Sequence, residues 1–467
     1  MAGRDYDLVV IGSGPAGHSA AIQATKVGKR VAMIEREGVV GGASVNTGTI
    51  PSKTLREAVM HLSGYNQRGI YGQDYRVKKK IVMDDLLHRT DHVISREIAV
   101  AHHQLMRNSV EVISATGSFV DPHTLRLNDL ATGGDRDITA DHIVIAVGTV
   151  CSLDPNIPFD GERIFVSDDL LKLKTLPKRL AVIGAGVIGS EYATIFAALG
   201  VRVTIIDKRK RLLDFLDWEI TDALTHHMRE NRVTLRLGEE VSGVEPYEDD
   251  QGAHVRIKLA SGKQVISDKT LYAIGRTGAT GALNLAAAEI EVDSRSRISV
   301  NKNYQTNQDH IYAVGDVIGF PSLAATSMEQ GRLASCHAFG VPAHSVPELF
   351  PFGIYTIPEI SVVGKNEQQL TSDGVPYEVG KASYKEIARG QIIGDRTGLL
   401  KLIFHTETRK LLGVSIIGEG ATELIHIGQA VLSYNGDIDY FVDTVFNYPT
   451  LAECYKTAAL DGINRLS

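Results

Sequence analysis

Two glycine-rich turns, set in the same frame of strand, helix and strand, constrain this chain more than any other feature. The apolar run Asp7-Leu8-Val9-Val10-Ile11 leads into Gly12-Ser13-Gly14-Pro15-Ala16-Gly17, then an alanine-rich helical stretch to Lys26, then a strand from Arg30 to Ile34 that ends at Glu35. Downstream, Leu180 to Ile183 leads into Gly184-Ala185-Gly186-Val187-Ile188-Gly189, a helical stretch from Ser190 to about Leu199, and a strand from Val201 to Ile206 that ends at Asp207. Each first glycine precedes its acid by 23 residues. In such a unit the first glycine permits a tight turn, the second lets backbone approach a pyrophosphate, and the third lets helix pack on strand. The helix N-terminus offers unpaired N–H groups and the positive end of a dipole to phosphates. Glu35 is placed to accept hydrogen bonds from a ribose. One such motif is weak; two in full context predict an α/β chain with two dinucleotide sites.

With 467 residues, the chain exceeds what one core holds, so two or more domains are expected. A formal net charge of −7 without a basic block argues against nucleic acid as the partner and favours small molecules or a second copy of the chain. Cys151, Cys336 and Cys454 are far apart and have no metal-ligand spacing, so no metal is expected. The start of the sequence has no basic segment followed by a long apolar core, and no apolar run approaches the ~20 residues of a membrane span. The expected location is the cytoplasm. His102-His103 and His226-His227 are adjacent pairs that point in different directions on a helix, and they read as surface or helix-edge residues.

Between the glycine motifs, the patterns predict a helix around Ile81 to Arg107, short strands at Val110 to Phe119 and Thr124 to Leu127, and a strand from His142 to Val147 ending at Gly148. Pro155 and Pro158 mark a linker. After the second motif, strands are expected at Val233 to Leu237, Val255 to Leu259 and Thr270 to Ile274, the last closing at Gly275-Arg276. Ile311 to Val314 is a further apolar strand, ending in Gly315-Asp316, and a helix near Thr326 to Phe339 follows. From about Phe352, alternating patterns with two helical stretches read as a separate α+β domain serving association and site completion.

The stretch Gly41-Gly42-Ala43-Ser44-Val45-Asn46-Thr47-Gly48-Thr49-Ile50-Pro51-Ser52-Lys53 reads as a glycine loop running into a helix. Together with the two glycine motifs, Gly148, Gly275-Arg276 and Gly315-Asp316, it resembles the FAD-dependent pyridine nucleotide-disulfide oxidoreductases over nearly the whole chain. Within that family, Thr47 to Lys53, Ala313 to Pro321, Gly353 to Glu359 and Phe446 to Thr450 are similar to the branch of soluble, Si-specific NAD(P)+ transhydrogenases.

The resemblance implies four domains: FAD-binding over 1–150, NAD(P)-binding over 151–276, a central domain completing the FAD site over 277–346, and a C-terminal dimerisation domain over 347–467. FAD falls to Gly12, Gly14, Gly17, Glu35, Arg36, Gly41, Gly42, Ser44, Thr49, Lys53, Gly148, Gly315 and Asp316. The nicotinamide nucleotide, NAD or NADP, falls to Gly184, Gly186, Gly189, Asp207, Lys208, Arg209 and Gly275. Lys53 and Glu191 match the lysine and glutamate that pair beside the reactive edge of the flavin in relatives, where a cation stabilises the charge left by hydride arrival.

The departures are as telling. Where disulfide-reducing relatives carry two cysteines, this chain has Ser44 and Thr49, whose hydroxyls form no disulfide. Where a proton-shuttling His precedes a Pro, Tyr448 precedes Pro449, with Glu453 kept; a phenol of reference pKa ~10 is a poor base at neutral pH. Hydride exchange between flavin and nicotinamide needs no protein nucleophile. The expected activity is hydride transfer from NADPH to NAD+ by binding the nucleotides in turn, with ping-pong kinetics through FAD. Asp207 suits a ribose hydroxyl and alone would repel a 2′-phosphate by about 4 kcal/mol per charge at close range. Lys208, Arg209, Lys210 and Arg211 offer positive charge to offset that, or form an ordinary solvated turn. A diaphorase or quinone reductase, and a non-catalytic flavin-binding subunit, are the alternatives.

Overall fold

The computed structural model describes residues 3–72, 74–250, 252–343 and 349–466, which divide into two compact units. The first unit gathers residues 1–55, 87–153 and 275–347; the second gathers 56–86, 154–274 and 348–467.

In the first unit five strands run parallel in the order Glu111–Asp121, Val31–Glu35, Tyr6–Ile11, Asp135–Ile145 and Ile311–Ala313. The central strand aligns Val9 with Ala32 on one side and with Ile143 on the other. Because side chains alternate across a strand, its near-continuous apolar run serves two layers at once. Leu8 and Val10 pack with Ala16, Ala20 and Ala24 of the helix Pro15–Lys26 and with Ala334 of the helix Ala324–Ala338. Val9 and Ile11 join Phe119, Leu125, Leu127, Leu283 and Ile290 on the other face. The two helices touch at backbone distance: a Cβ on Gly331 would lie 2.0 Å from the Ala16 carbonyl oxygen. Strand Thr124–Asp129 bridges the outer lengths of Glu111–Asp121 and Asp135–Ile145 in antiparallel fashion. A ribbon of Thr149–Cys151 against Arg276–Gly278 completes the unit.

The second unit repeats the parallel arrangement in the order Thr234–Leu237, Arg202–Asp207, Arg179–Ile183, Lys269–Tyr272 and Ile164–Val166. The helix Val187–Ala198 follows the glycine turn. A meander of Val241–Asp249, Gly252–Leu259 and Gln264–Ser267 extends the unit, and a five-stranded antiparallel sheet carries the C-terminal region. Its strands run Phe352–Ile354, Ile360–Gly364, Leu411–Ile417, Leu399–His405 and Tyr377–Ser383 in spatial order. The helices Ala421–Ser433 and Glu453–Ile463 contribute to its core, with Tyr455, Phe404, Phe441 and Leu402 fully buried. Gly380 lets the last helix approach its strand, since a Cβ there would meet the Ala458 carbonyl oxygen at 1.9 Å.

Several elements differ from the sequence expectation. Ile164–Val166, wholly buried, sits in the stretch read as a linker, because three apolar residues after prolines leave no room for a period to show. Val241–Asp249 was not expected: its Glu245, Pro246 and Glu248 dilute the alternation of a half-exposed strand. The strand expected to reach Ile274 ends at Tyr272, and Ile274 is exposed. The expected strand His142 to Val147 begins much earlier, at Asp135, where exposed Asp and Arg side chains obscure the pattern, and ends at Ile145.

Candidate functional site

In the first unit Gly12 has φ +103°, and a Cβ there would lie 2.5 Å from the Ala146 carbonyl oxygen. Gly17 packs its helix on the turn so closely that a Cβ would fall 2.0 Å from the Gly12 carbonyl oxygen. The buried Glu35 carboxylate holds the turn from the end of its strand. Its Oε2 accepts the Ser13 amide at 3.1 Å and the Ser13 hydroxyl, and its Oε1 accepts the Glu37 amide at 2.8 Å. Ser13 Oγ in turn accepts the Gly41 amide at 3.0 Å. Gly42, at φ +56°, comes within 2.8 Å of Gly14 Cα if given a Cβ, so the loop expected from the sequence closes on the glycine turn. Arg36 lies exposed beyond the acid, donating to Glu37. The helix from Pro15 has the bare backbone of Gly14 at its N-cap, with no side chain over its first amides.

Gly315 and Asp316 meet the same turn from another direction. A Cβ on Gly315 would lie 3.1 Å from Ala16 Cβ, and its amide donates to the buried Gln330 Oε1 at 2.8 Å. Burial pushes the Asp316 carboxyl up, with the Arg276 charge and a Thr149 hydroxyl contact at 3.4 Å opposing. Arg276 is anchored on the ribbon, donating to Thr149 Oγ1 and to its carbonyl, both at 2.9 Å, and to Cys151 Sγ at 3.1 Å. Gly148 and Gly275, at φ +66° and +150°, flank that ribbon. After the loop, Gly42–Asn46 forms a short helix and Thr49–Ser63 a longer one, which carries Thr49 exposed and Lys53 half-buried. Ser44 is half-buried on the short helix.

The second unit repeats the device. Gly184 has φ +112° and would meet the Ala273 carbonyl oxygen at 2.3 Å; Gly189 would meet that of Gly184 at 1.9 Å. Gly186 is the open N-cap of the helix Val187–Ala198. Asp207 Oδ2 accepts the Ala185 amide at 2.6 Å and Oδ1 accepts the Arg209 amide at 2.7 Å, the counterparts of Ser13 and Glu37. Here the acid also has a cation. Arg209 donates through Nη2 to Oδ2 at 2.8 Å and through Nε to Oδ1 at 3.1 Å, and pairs with Asp214 at 3.3 Å. Burial pushes the Asp207 carboxyl up, but the Arg209 guanidinium and the two amides prevail and hold it below the usual carboxylate range.

The basic run after Asp207 therefore does not act as one block. Arg209 is engaged with the acid, Arg211 pairs with Asp222 at 2.7 Å and lies over Trp218, and Lys208 and Lys210 are exposed. Glu191 is buried on the helix, its Oε1 accepting the Tyr355 amide at 2.8 Å, while Thr194 Oγ1 accepts the Ile357 amide at 3.0 Å. Ser13, Gln330 and Tyr355 are contributors the sequence reading did not single out. The position of Ser13 between two motif glycines was the available signal for the first; the others show no local pattern.

Three further groups lie away from the glycine turns. His227, expected at the surface or a helix edge, is half-buried: its Nε2 meets Tyr65 Oη at 2.8 Å, its Nδ1 meets Thr397 Oγ1 at 3.1 Å, and burial pulls its pKa down. Tyr448 is 73% exposed, and one Glu453 oxygen is buried with no hydrogen-bond partner among the described residues. Asp217, Glu219 and Glu367 converge as metal ligands would, but the fully buried Lys401 ammonium lies among them, 2.9 Å from Asp217 and 3.1 Å from Glu219.

Residues 6–331 match the family model for pyridine nucleotide-disulphide oxidoreductases, and residues 350–459 match that family's dimerisation domain. A soluble pyridine nucleotide transhydrogenase of Mycobacterium bovis is 55% identical over 463 residues, covering 99% of this chain and 98% of its own. One of Colwellia psychrerythraea is 46% identical over 468 residues, 99% of each chain. Among solved structures, LpdA from Mycobacterium tuberculosis superposes with a TM-score of 0.89 at 26% identity, covering 98% of this chain and 99% of that one. The flavoprotein disulfide reductase RclA from Escherichia coli gives 0.86 at 28% identity, with 97% and 99% covered.

Proposed function

The chain belongs to the pyridine nucleotide-disulphide oxidoreductase family, and from that premise we propose that it transfers hydride between NADPH and NAD+ with FAD as resident cofactor. The observation that carries this reading is full-length likeness, at 46–55% identity, to proteins named soluble pyridine nucleotide transhydrogenase.

The residues present fit a dinucleotide in each unit. In the first, the cradle of Gly12, Gly17 and Gly42 that a Cβ would fill, the uncapped helix at Pro15 and the buried Glu35 would hold FAD, with Asp316 beside them. FAD, when bound, supplies the two-electron chemistry. The protein's part is positioning and charge. Lys53 serves as the cation beside the flavin and Glu191 as a carboxylate fixed on the nicotinamide-nucleotide unit by the Tyr355 amide. On this reading Arg36, Gly41, Ser44, Thr49, Gly148 and Gly315 belong to the flavin side. Gly184, Gly186, Gly189 and Gly275 belong to the nicotinamide side.

In the second unit Asp207, already neutralised by Arg209, can face either nucleotide: its carboxylate suits a ribose 2′-hydroxyl, and Arg209 with Lys208 suits a 2′-phosphate. One such cradle remains for nicotinamide nucleotides once FAD takes the other, so the two nucleotides use it in turn. No cysteine lies between Gly41 and Lys53, and the two cysteines of the C-terminal half are buried and free, so nothing in this reading passes through a disulfide. The match of residues 350–459 to a dimerisation domain points to a homodimer. No described helix is long and apolar enough to cross a membrane, and the cytoplasm is the proposed location.

The test is anaerobic incubation of FAD-loaded protein with NADPH and thio-NAD+. One thio-NADH formed per NADPH oxidised is expected, without added thiol or quinone. NADPH oxidation only when a quinone is supplied would establish a quinone reductase instead.

A further inference from the structure

A cavity of the second unit lies away from its glycine turn. It has a volume of about 1300 Å³ and is lined by the starts of the parallel strands, at Arg179, Arg202 and Thr234, by Tyr65, Arg68 and Arg76, and by the short helix carrying Arg389 with the turn that follows it to Thr397. Dinucleotides bind outside the carboxyl ends of such strands. Arg202 and Asp207 are the two ends of one strand, roughly 16 Å apart at ~3.3 Å per residue, so this cavity and the nucleotide turn lie at opposite edges of the sheet.

Its lining is strongly basic. In a chain of formal net charge −7, eight arginines face four carboxylates there. Two of those acids are committed to the protein. Asp395 accepts the amides of Thr397, Gly398 and Glu419, and Glu419 accepts the Asn66 side-chain amide at 3.2 Å. Among the described residues no carboxylate lies within ion-pair distance of Arg202, Arg232, Arg389 or Arg396. Arg68 Nη2 is tied to the carbonyls of Ser63 and Ala198, but its Nε is buried with no hydrogen-bond partner among the described residues. Burial and the nearby Arg76 charge hold the Arg68 pKa down.

The walls are fixed. His227 joins the helix Trp218–Glu230 to Tyr65 and to Thr397, and Asn231 donates to its ring at 3.1 Å, so three segments that carry the arginines are pinned to one polar floor. Of the aromatic rings in the described lining, His227 is engaged through its ring nitrogens and Tyr65 is covered by the Arg68 guanidinium at 5.3 Å. That leaves recognition to charge and to guanidinium forks, which suit phosphate oxygens, and offers no platform for a base.

The geometry points to a second ligand site in this unit, for a small polyphosphate carrying two or more phosphate groups, separate from the unit's own dinucleotide cradle. Arg202, Arg232, Arg389 and Arg396 bind it from the rim and Arg68 from the floor. It takes a small anion and not nucleic acid because the site is a cavity and the rest of the chain is acidic.

Titration calorimetry of the FAD-loaded protein, saturated with NADP+, with inorganic tripolyphosphate tests this. One tripolyphosphate per chain is expected, at an affinity that weakens with salt. The double variants R202A/R232A and R389A/R396A should each weaken it at least tenfold while leaving NADPH turnover unchanged. No binding to the NADP+-saturated protein, or equal affinity in the wild type and both variants, would overturn the assignment. Salt-dependent binding to the NADP+-free protein alone would place the anion in the nucleotide cradle and equally overturn it.

Discussion

At residue scale, the acids that end the second strand of each glycine unit do two jobs. Glu35 and Asp207 each take the amide between the first two glycines with one oxygen and the amide two residues on with the other, which fixes the turn before any ligand arrives. They differ in company: Glu35 has Ser13, whereas Asp207 has Arg209. Arg209→Ala would leave a buried carboxylate facing a 2′-phosphate, so KM for NADPH is expected to rise about tenfold or more while KM for NADH changes far less. Equal losses for the two nucleotides would remove Arg209 from selectivity. The histidines supply a pH signature. Burial lowers the pKa of His18, His142, His227 and His310 below 6.5, so their contribution to stability is present above pH 6.5 and is lost as pH falls through the depressed values. The thermal midpoint should drop between pH 7 and pH 5, and His227→Gln should flatten that slope; an unchanged slope would show that His227 does not carry it.

At the scale of elements, both glycine units were legible because their demands are local. A positive φ at Gly12 or Gly184 and a helix on top of a strand at Gly17 or Gly189 admit no side chain, so the motif writes itself into adjacent residues. The loop at Gly41–Gly42 was legible as a loop, but its seat on Gly14 was not, since that contact joins segments 28 residues apart by backbone alone. Ile164–Val166 and Val241–Asp249 escaped for opposite reasons, one being too short to show a period and the other too charged. The basic turn after Asp207 misled in a third way: sequence showed four charges in a row, and ion pairs with Asp207, Asp214 and Asp222 divide them. Gly42→Ala tests the cradle. A methyl at φ +56° and 2.8 Å from Gly14 Cα forces the loop off the turn, at a cost of about 1–3 kcal/mol. Flavin absorbance per purified chain should fall well below that of the wild type; full flavin occupancy would separate the loop from FAD binding.

At the scale of the whole molecule, the same parallel sheet, uncapped helix and acid-braced turn occur once in each unit, and a C-terminal antiparallel sheet matches a dimerisation domain. On the proposed function, two cradles for three nucleotides would make FAD the resident and NADPH and NAD+ alternate visitors. Initial rates measured with NADPH varied at several fixed concentrations of thio-NAD+ test that claim most directly. Parallel lines in double-reciprocal plots are predicted, because one nicotinamide nucleotide must leave before the other binds. Lines that intersect to the left of the axis would mean that both nucleotides are bound at once, and would contradict a single shared cradle.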